Sequence, residues 1–165
     1  MSRDRGQTTL DFAVGMSIFL SVVAFTFGIV PTMFAPFETE TGTNAVMSDR
    51  AADRLTTTAL VESPSRPSIL NGTCTQSFFD GSPPGPCRYG SADLHEALGL
   101  GGSVTVNVSV RNDSGIRVLG GTRLARGPSA SSADGLVVAR RTVSLPRDLT
   151  TGAVREQNRL LVRVW

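Results

Sequence analysis

The residues that could do specific chemistry are few: Cys74 and Cys87, the single histidine His95, the carboxylate Asp11 at the mouth of a long uncharged run, and asparagines in glycan-acceptor sequons. Two thiols can bridge to each other or, with an imidazole, hold a metal. Cys74, Cys87 and His95 match no recognised zinc spacing. One disulfide is the preferred reading for an outer, oxidising location. A loop of that length, closed in the unfolded chain, contributes about 3 kcal/mol. No nucleophile–base set can be assembled without His95, and nothing else suggests a triad. The expectation is therefore a non-enzymatic protein with no cofactor and no bound metal. His95 is expected to sit on a helix face. Asn71, Asn107 and Asn112 stand in N-x-[ST] sequons. Asn112, in a turn, is the most accessible acceptor; Asn107, in the middle of a strand, is the least.

Asp11 raises a different question, because residues 12–37 after it carry no charge. That run exceeds the roughly 20 residues a helix needs to cross a bilayer. A cleaved secretory signal would have a shorter apolar core and a small-residue cleavage site behind it. Pro31, Phe34, Pro36 and Phe37 follow instead, so a retained membrane helix is expected over 7–37, with a kink at Pro31. Arg3 and Arg5 precede it and hold that side to the cytoplasm, leaving the remainder extracellular on a single-pass protein of the cell membrane. Ala13, Ser17, Ser21, Ala24 and Gly28 form a stripe of small residues at helical spacing, the pattern that lets helices approach closely in lipid. Phe12, Met16, Phe19, Leu20, Val23 and Phe27 lie on other faces. Locally, Thr8-Thr-Leu-Asp11 fits a capping box before the apolar run.

Beyond the span, residues 38–62 form the outer amphipathic-helix segment, whose helical pattern is read over 44–62 with Val46, Ala51, Ala52, Leu55 and Ala59 on its apolar side. Gly42 suggests a joint before it, and Pro64 and Pro67 stop it. Residues 63–102 form a loop region that holds the cysteines, the Phe78–Phe79 pair packed under its own loop, and a short helix from Ser91 to Leu98. Ser91 is its expected N-cap and Gly99 its stop. From 103 to 165 the period changes to two. Val104, Val106, Val108 and Val110 alternate with polar residues; Asn112–Gly115 turns the chain, and Ile116–Leu119 returns as the hairpin partner. Strands at 135–145 and 159–165 follow. The expected class is α+β: a long N-terminal helix, an outer helix, and a small antiparallel sheet of about four strands packed on it.

The order of features around Asp11 resembles the type IV prepilin signal, most closely its haloarchaeal, Arg-Gly-Gln form. A basic leader of residues 1–6 ends in Gly6, then come Gln7-Thr8-Thr9-Leu10-Asp11 and the apolar helix. The resemblance implies that a prepilin peptidase cuts between Gly6 and Gln7 and makes Asp11 the fifth residue of the mature chain. It further implies assembly through the N-terminal helix, with the Asp11 carboxylate facing the new terminal amine of a neighbouring subunit. The implied partners are other pilin-like subunits, the pilus assembly ATPase, its membrane platform protein and the lipid bilayer. The implied role is that of a major or minor pilin or pseudopilin in an archaeal surface filament. The alternative reading is an uncleaved, membrane-anchored extracellular domain that binds or tethers a partner.

Charge is divided along the chain. All 16 basic residues are Arg; residues 1–99 carry 6 Arg and 10 acids (6 − 10 = −4), whereas residues 100–165 carry 10 Arg and 4 acids (10 − 4 = +6). The arginines are scattered along alternating segments with few aromatics to stack on bases, so nucleic acid is not an expected partner. The basic half is expected to meet an acidic surface of its own chain or of a neighbouring copy.

Overall fold

A computed structural model describes residues 4–38, 40–131, 133–150 and 154–165. The chain divides into two units at Thr39, Met1–Thr39 and Glu40–Trp165.

The first unit is one helix, α1 (Asp4–Glu38). It starts before the expected boundary at residue 7 and runs through Pro31 and Pro36, so Pro31 does not end it. Asp11 therefore stands about two turns inside the helix. The amides there already bond to carbonyls one turn earlier, and the expected capping box at Thr8–Asp11 does not form the helix start.

The second unit opens with α2 (Glu40–Arg54). Gly42 lies inside this helix rather than at a joint. Asn44, Ser48, Ala51, Ala52 and Leu55 are its buried positions, at helical spacing. Val46, expected on the apolar side, is exposed. The helix packs across two strands of a sheet, and alanines at its centre let the backbone come close. It then widens into one π-helical turn, Leu55–Ala59, where the Leu60 N–H donates to the Leu55 carbonyl at 3.2 Å. Widening buries Leu55, Thr56 and Ala59 together and leaves the Thr56 carbonyl to accept from Ser68 N–H at 2.7 Å. The outer helix thus ends before residue 62, and Val61 instead bridges Leu70.

Next come α3 (Gly72–Asp80) and α4 (Leu94–Leu98). Helix α3 falls where no regular element was expected. Asn71 caps it, its Oδ1 accepting from Cys74 N–H at 2.9 Å, and Gly81 closes it in the left-handed region at φ 73°. Helix α4 ends at Gly99 as expected, but its N-cap is Asp93, whose Oδ1 accepts from Glu96 N–H at 2.9 Å. That bond holds the Asp93 carboxyl below the usual carboxylate range. Ser91 sits outside, its Oγ accepting from Asp93 N–H.

The sheet contains β1 (Val106–Asn112), β2 (Gly115–Ile116), β5 (Ala125–Arg126), β6 (Val137–Pro146) and β7 (Arg155–Val164), with β3 (Val118–Leu119) and β4 (Thr122–Arg123) forming a separate two-stranded ribbon. The order β2-β1-β7-β6 places β7 between β1 and β6, antiparallel to both, and β5 also pairs with β1. Only Gly115–Ile116 returns as hairpin partner of β1. Val118–Leu119 departs because Gly120 and Gly121, both at positive φ, turn it back onto Thr122–Arg123. Paired left-handed residues suit the twist of a two-residue hairpin. A side chain at Gly120 would also meet Leu149 Cδ1 at 2.5 Å.

Alternation sorts the sheet into two faces. Val106, Val108 and Val110 of β1, Val143 and Leu145 of β6, and Leu160, Val162 and Val164 of β7 enter the core with Ala51, Ala52 and Leu55. Asn107, Ser109, Arg111, Arg140 and Arg163 take the other phase. Ile69 bridges Ser144 at the outer edge of β6, with Leu70 N–H donating to the Ser144 carbonyl at 2.9 Å, so the loop after the π turn covers part of that edge. The fold is α+β: an N-terminal apolar helix and a small head built on an antiparallel sheet.

Candidate functional site

Helix α1 contains one segment, Leu10–Val30, long and apolar enough to cross a membrane. Its large side chains are exposed; Phe12, Phe25 and Phe27 each show 70% or more of their surface. In an ordinary soluble helix one such face would be covered.

Helical rotation sorts the segment's residues. At about 100° per residue, Ala13, Ser17, Ser21, Ala24 and Gly28 fall within about 80° of arc. The large residues Phe12, Met16, Phe19, Leu20, Val23 and Phe27 fall within about 100° on another side. The stripe is exposed along its length. Its hydroxyls are turned inward to the backbone: Ser17 Oγ donates to the Ala13 carbonyl at 2.7 Å and Ser21 Oγ to the Ser17 carbonyl at 2.8 Å. Thr26 does the same with Val22 at 2.8 Å. These bonds remove the polar groups from the surface and make the face compatible with hydrocarbon. A Cβ added at Gly28 would meet nothing within 4 Å among the described residues, so no contact with them requires glycine there.

Asp11 is exposed and lies about 120° around the helix from the centre of the stripe. The structure brings the five small residues together and leaves Asp11 apart from them. Gly6 and Gln7 lie near the start of α1; of the two, the side chain of Gln7 is outside the described residues.

In the head, Cys74 and Cys87 form the expected disulfide, with their Cα atoms 5.5 Å apart. It ties the first turn of α3 to the loop before Tyr89. Phe78 and Phe79 are buried as expected, and Phe78 packs edge-to-face on both Phe79 and Tyr89. The Tyr89 hydroxyl donates to the Ser82 and Pro83 carbonyls at 2.9 and 3.1 Å, and burial raises its proton affinity above that of an ordinary phenol. Arg126 reaches into this cluster. Its Nη1 donates to the Phe78 carbonyl at 2.6 Å, its Nη2 donates to the Ala92 carbonyl, and its guanidinium lies 5.3 Å from the Phe78 ring centre. His95 is half-buried on α4, with Nε2 2.8 Å from the Val104 carbonyl.

The three sequons occupy different settings. Asn71 is the α3 cap. The Asn107 amide nitrogen donates to the Arg126 and Gly127 carbonyls at 3.3 and 3.2 Å. Asn112 Oδ1 accepts from Ser114 N–H at 3.0 Å within the expected turn.

The basic half meets the acidic half at defined places. Arg141 of β6 binds Asp49 and Asp53 of α2 at 2.5 and 3.0 Å, and these two bonds raise its proton affinity. Arg155 binds Glu62 at 2.7 Å. The Asp49–Asp53 pair, four apart on a helix, carried this signal in the sequence, but its partner could be found only from the sheet register.

An apolar helix long enough to cross a membrane, followed by a disulfide-bridged α+β head, defines the class of protein. The chain belongs to the family of unknown function DUF7287, which it matches over residues 3–165. No curated protein and no solved structure matches it.

Proposed function

We propose that this chain is a non-enzymatic structural subunit of a type IV pilus-like surface filament, processed after Gly6 and assembled through α1. The observation that carries the reading is the order of features in one stretch: a basic leader, Gly6-Gln7, Asp11, and then the uncharged run 12–37, which holds nearly all of the apolar segment Leu10–Val30. The exposed small-residue stripe supports it, because the described residues of α1 make no contact that requires that face to be small. Cutting after Gly6 brings Asp11 from inside the helix into the opening turns of the mature one. The new amine is then a cation in a medium of low dielectric, where an unpaired charge is expensive and a carboxylate offsets it. Asp11 and the stripe lie on different faces, so they serve different contacts: Asp11 takes a neighbour's terminus and the stripe takes a neighbour's helix.

The processing peptidase, assembly ATPase and platform protein are the partners this reading requires, with the amino terminus cytoplasmic and the head outside. N-terminal mass spectrometry of the membrane and sheared-filament fractions tests it. The expected terminus is Gln7, or its cyclised form. Gly6→Val is expected to leave the precursor uncut in the membrane. An intact leader on the assembled protein would sink the proposal and leave a membrane-anchored tethering domain in its place.

A further inference from the structure

The ion pairs of the head leave several arginines without a described carboxylate partner, and three of these share one place. Arg117, Arg141, Arg147, Arg155 and Arg159 each pair with a carboxylate. None of the described carboxylates pairs with Arg111, Arg123 or Arg163. All three line one cavity of about 450 Å³ on the sheet face turned away from the core.

Arg163 is the half-buried member. Its Nη1 donates to Asn107 Oδ1 at 3.1 Å and to Ser109 Oγ at 2.9 Å. These are neutral acceptors, which orient a guanidinium without cancelling its charge. A guanidinium keeps its proton even when burial opposes it. Here burial, and then the like charges of Arg111 and Arg140, hold Arg163 below the ordinary guanidinium value. Concentrating cations in a half-buried place is unfavourable unless an anion completes it.

The surrounding backbone is shaped for this site. Asn107 is fixed by its amide bonds to the Arg126 and Gly127 carbonyls. Gly127 has φ 94°, and a Cβ there would lie 2.1 Å from the Val106 carbonyl oxygen, so the segment beginning at Gly127 passes closely over β1. That segment brings Ser129 and Ser131 to the cavity wall, where the Ser129 hydroxyl donates to Ser131 Oγ at 3.4 Å. The volume lies within the range of roughly 300–1,000 Å³ for small-molecule sites. No aromatic side chain lines it, so bases have nothing to stack on.

We propose that this cavity binds an oxyanionic small molecule: a sulfate or phosphate group, free or carried on a polar body the size of one sugar. Arg163 is the anchoring cation, and Arg111 and Arg123 supply further charge. Asn107 and Ser109 position Arg163, and the serine hydroxyls face the polar body. Guanidinium–oxyanion bonds are charge-assisted and geometrically specific, which is why arginine suits such a role. The site requires neither cleavage at Gly6 nor assembly.

Calorimetric titration of the full chain in non-ionic detergent tests this, with sodium sulfate, inorganic phosphate, galactose 6-sulfate and glucose 6-phosphate at ionic strength matched with chloride. Saturable binding of at least one of these is expected. Arg163→Gln should weaken it at least about tenfold, a loss of about 1.4 kcal/mol. Because Arg163 also holds Asn107 and Ser109, Arg111→Gln/Arg123→Gln is the second variant. Both of its residues are exposed, and it should weaken binding similarly without changing the melting temperature. Arg88→Gln, exposed and outside the cavity, should bind as the parent does. Tighter binding of a sugar ester assigns the polar body; equal binding of the inorganic ion assigns the free oxyanion. No response beyond chloride, an unchanged double variant, or binding of a single-stranded oligonucleotide alone would overturn the proposal.

Discussion

Helix α1 and the head solve the polar-group problem in opposite ways. In the Leu10–Val30 segment the side-chain hydrogen bonds of Ser17, Ser21 and Thr26 all return to carbonyls four residues back. In the head the polar links span long stretches of sequence: Gln76 to Gly120, Arg126 to Phe78, Arg155 to Leu70. The helix is self-sufficient in polar groups and leaves its apolar surface uncovered. The head covers its apolar surface and depends on distant segments for its polar groups. Stability is cooperative in the second arrangement and local in the first. A change in α1 should therefore act on association, and a change in the head on folding.

The largest effect that would sharpen this contrast is expected from the core. Leu160 is fully buried on the central strand. Leu160→Ala should destabilise the head by about 2–5 kcal/mol through lost burial and a residual cavity. Denaturant unfolding of the full chain in detergent, followed by fluorescence of the single tryptophan, Trp165, reads this directly. A loss below about 1 kcal/mol would mean that the head does not depend on this packing.

Removing the bridge with Cys74→Ser/Cys87→Ser comes next. Its expected loss is about 3 kcal/mol, by the loop-closure argument for a 13-residue separation. Reduction of the parent protein should lower the unfolding midpoint by a matching amount, and an unchanged midpoint would contradict the entropic account.

A smaller effect should appear at alkaline pH. Burial raises the pKa of Tyr89, the single tyrosine of the chain. The folded value lies above the unfolded one, so the associated stability is fully present below about pH 10. It is lost as pH rises through the folded value. Phenolate absorbance of the native chain should rise at higher pH than that of the denatured chain; coincident curves would break the packing assignment.

The smallest head effect is expected from Gly28→Leu. The head's unfolding midpoint should not move, whereas under the proposed assembly filament yield should fall, because a large side chain would separate helices meeting through small residues. A shifted midpoint would show that the two regions are not independent.

Much of this contrast is legible in the sequence because it rests on composition and period. The uncharged run announces α1, and the alternation of Val106, Val108 and Val110 announces β1. Gly99 is correctly read as the end of α4, since a residue at positive φ is needed there. Other elements depend on partners remote in sequence. The α3 helix has a cap at Asn71 and a stop at Gly81, but its buried positions Thr75, Phe78 and Phe79 make too short a stripe to carry a period. The π turn comes with a bond from Ser68 N–H to the Thr56 carbonyl, a partner twelve residues on that the helical period does not announce. Strands β2–β5 are two residues each, below the length at which alternation can be read. In the oxyanion cavity, Asn107 and Arg163 are paired by β-sheet register across 56 residues of sequence, so no spacing could bring them together beforehand.

The position of β7 sets a timetable for making the protein. Strands β1 and β6 do not pair with each other; each waits for β7, the latest of the three in the chain. A ribosome moving from the amino terminus completes α1 and α2 well before that strand exists. During the interval the valine faces of β1 and β6 have no sheet to join, and unpaired strands of this kind are prone to aggregate. The head can therefore close only after its last strand arrives.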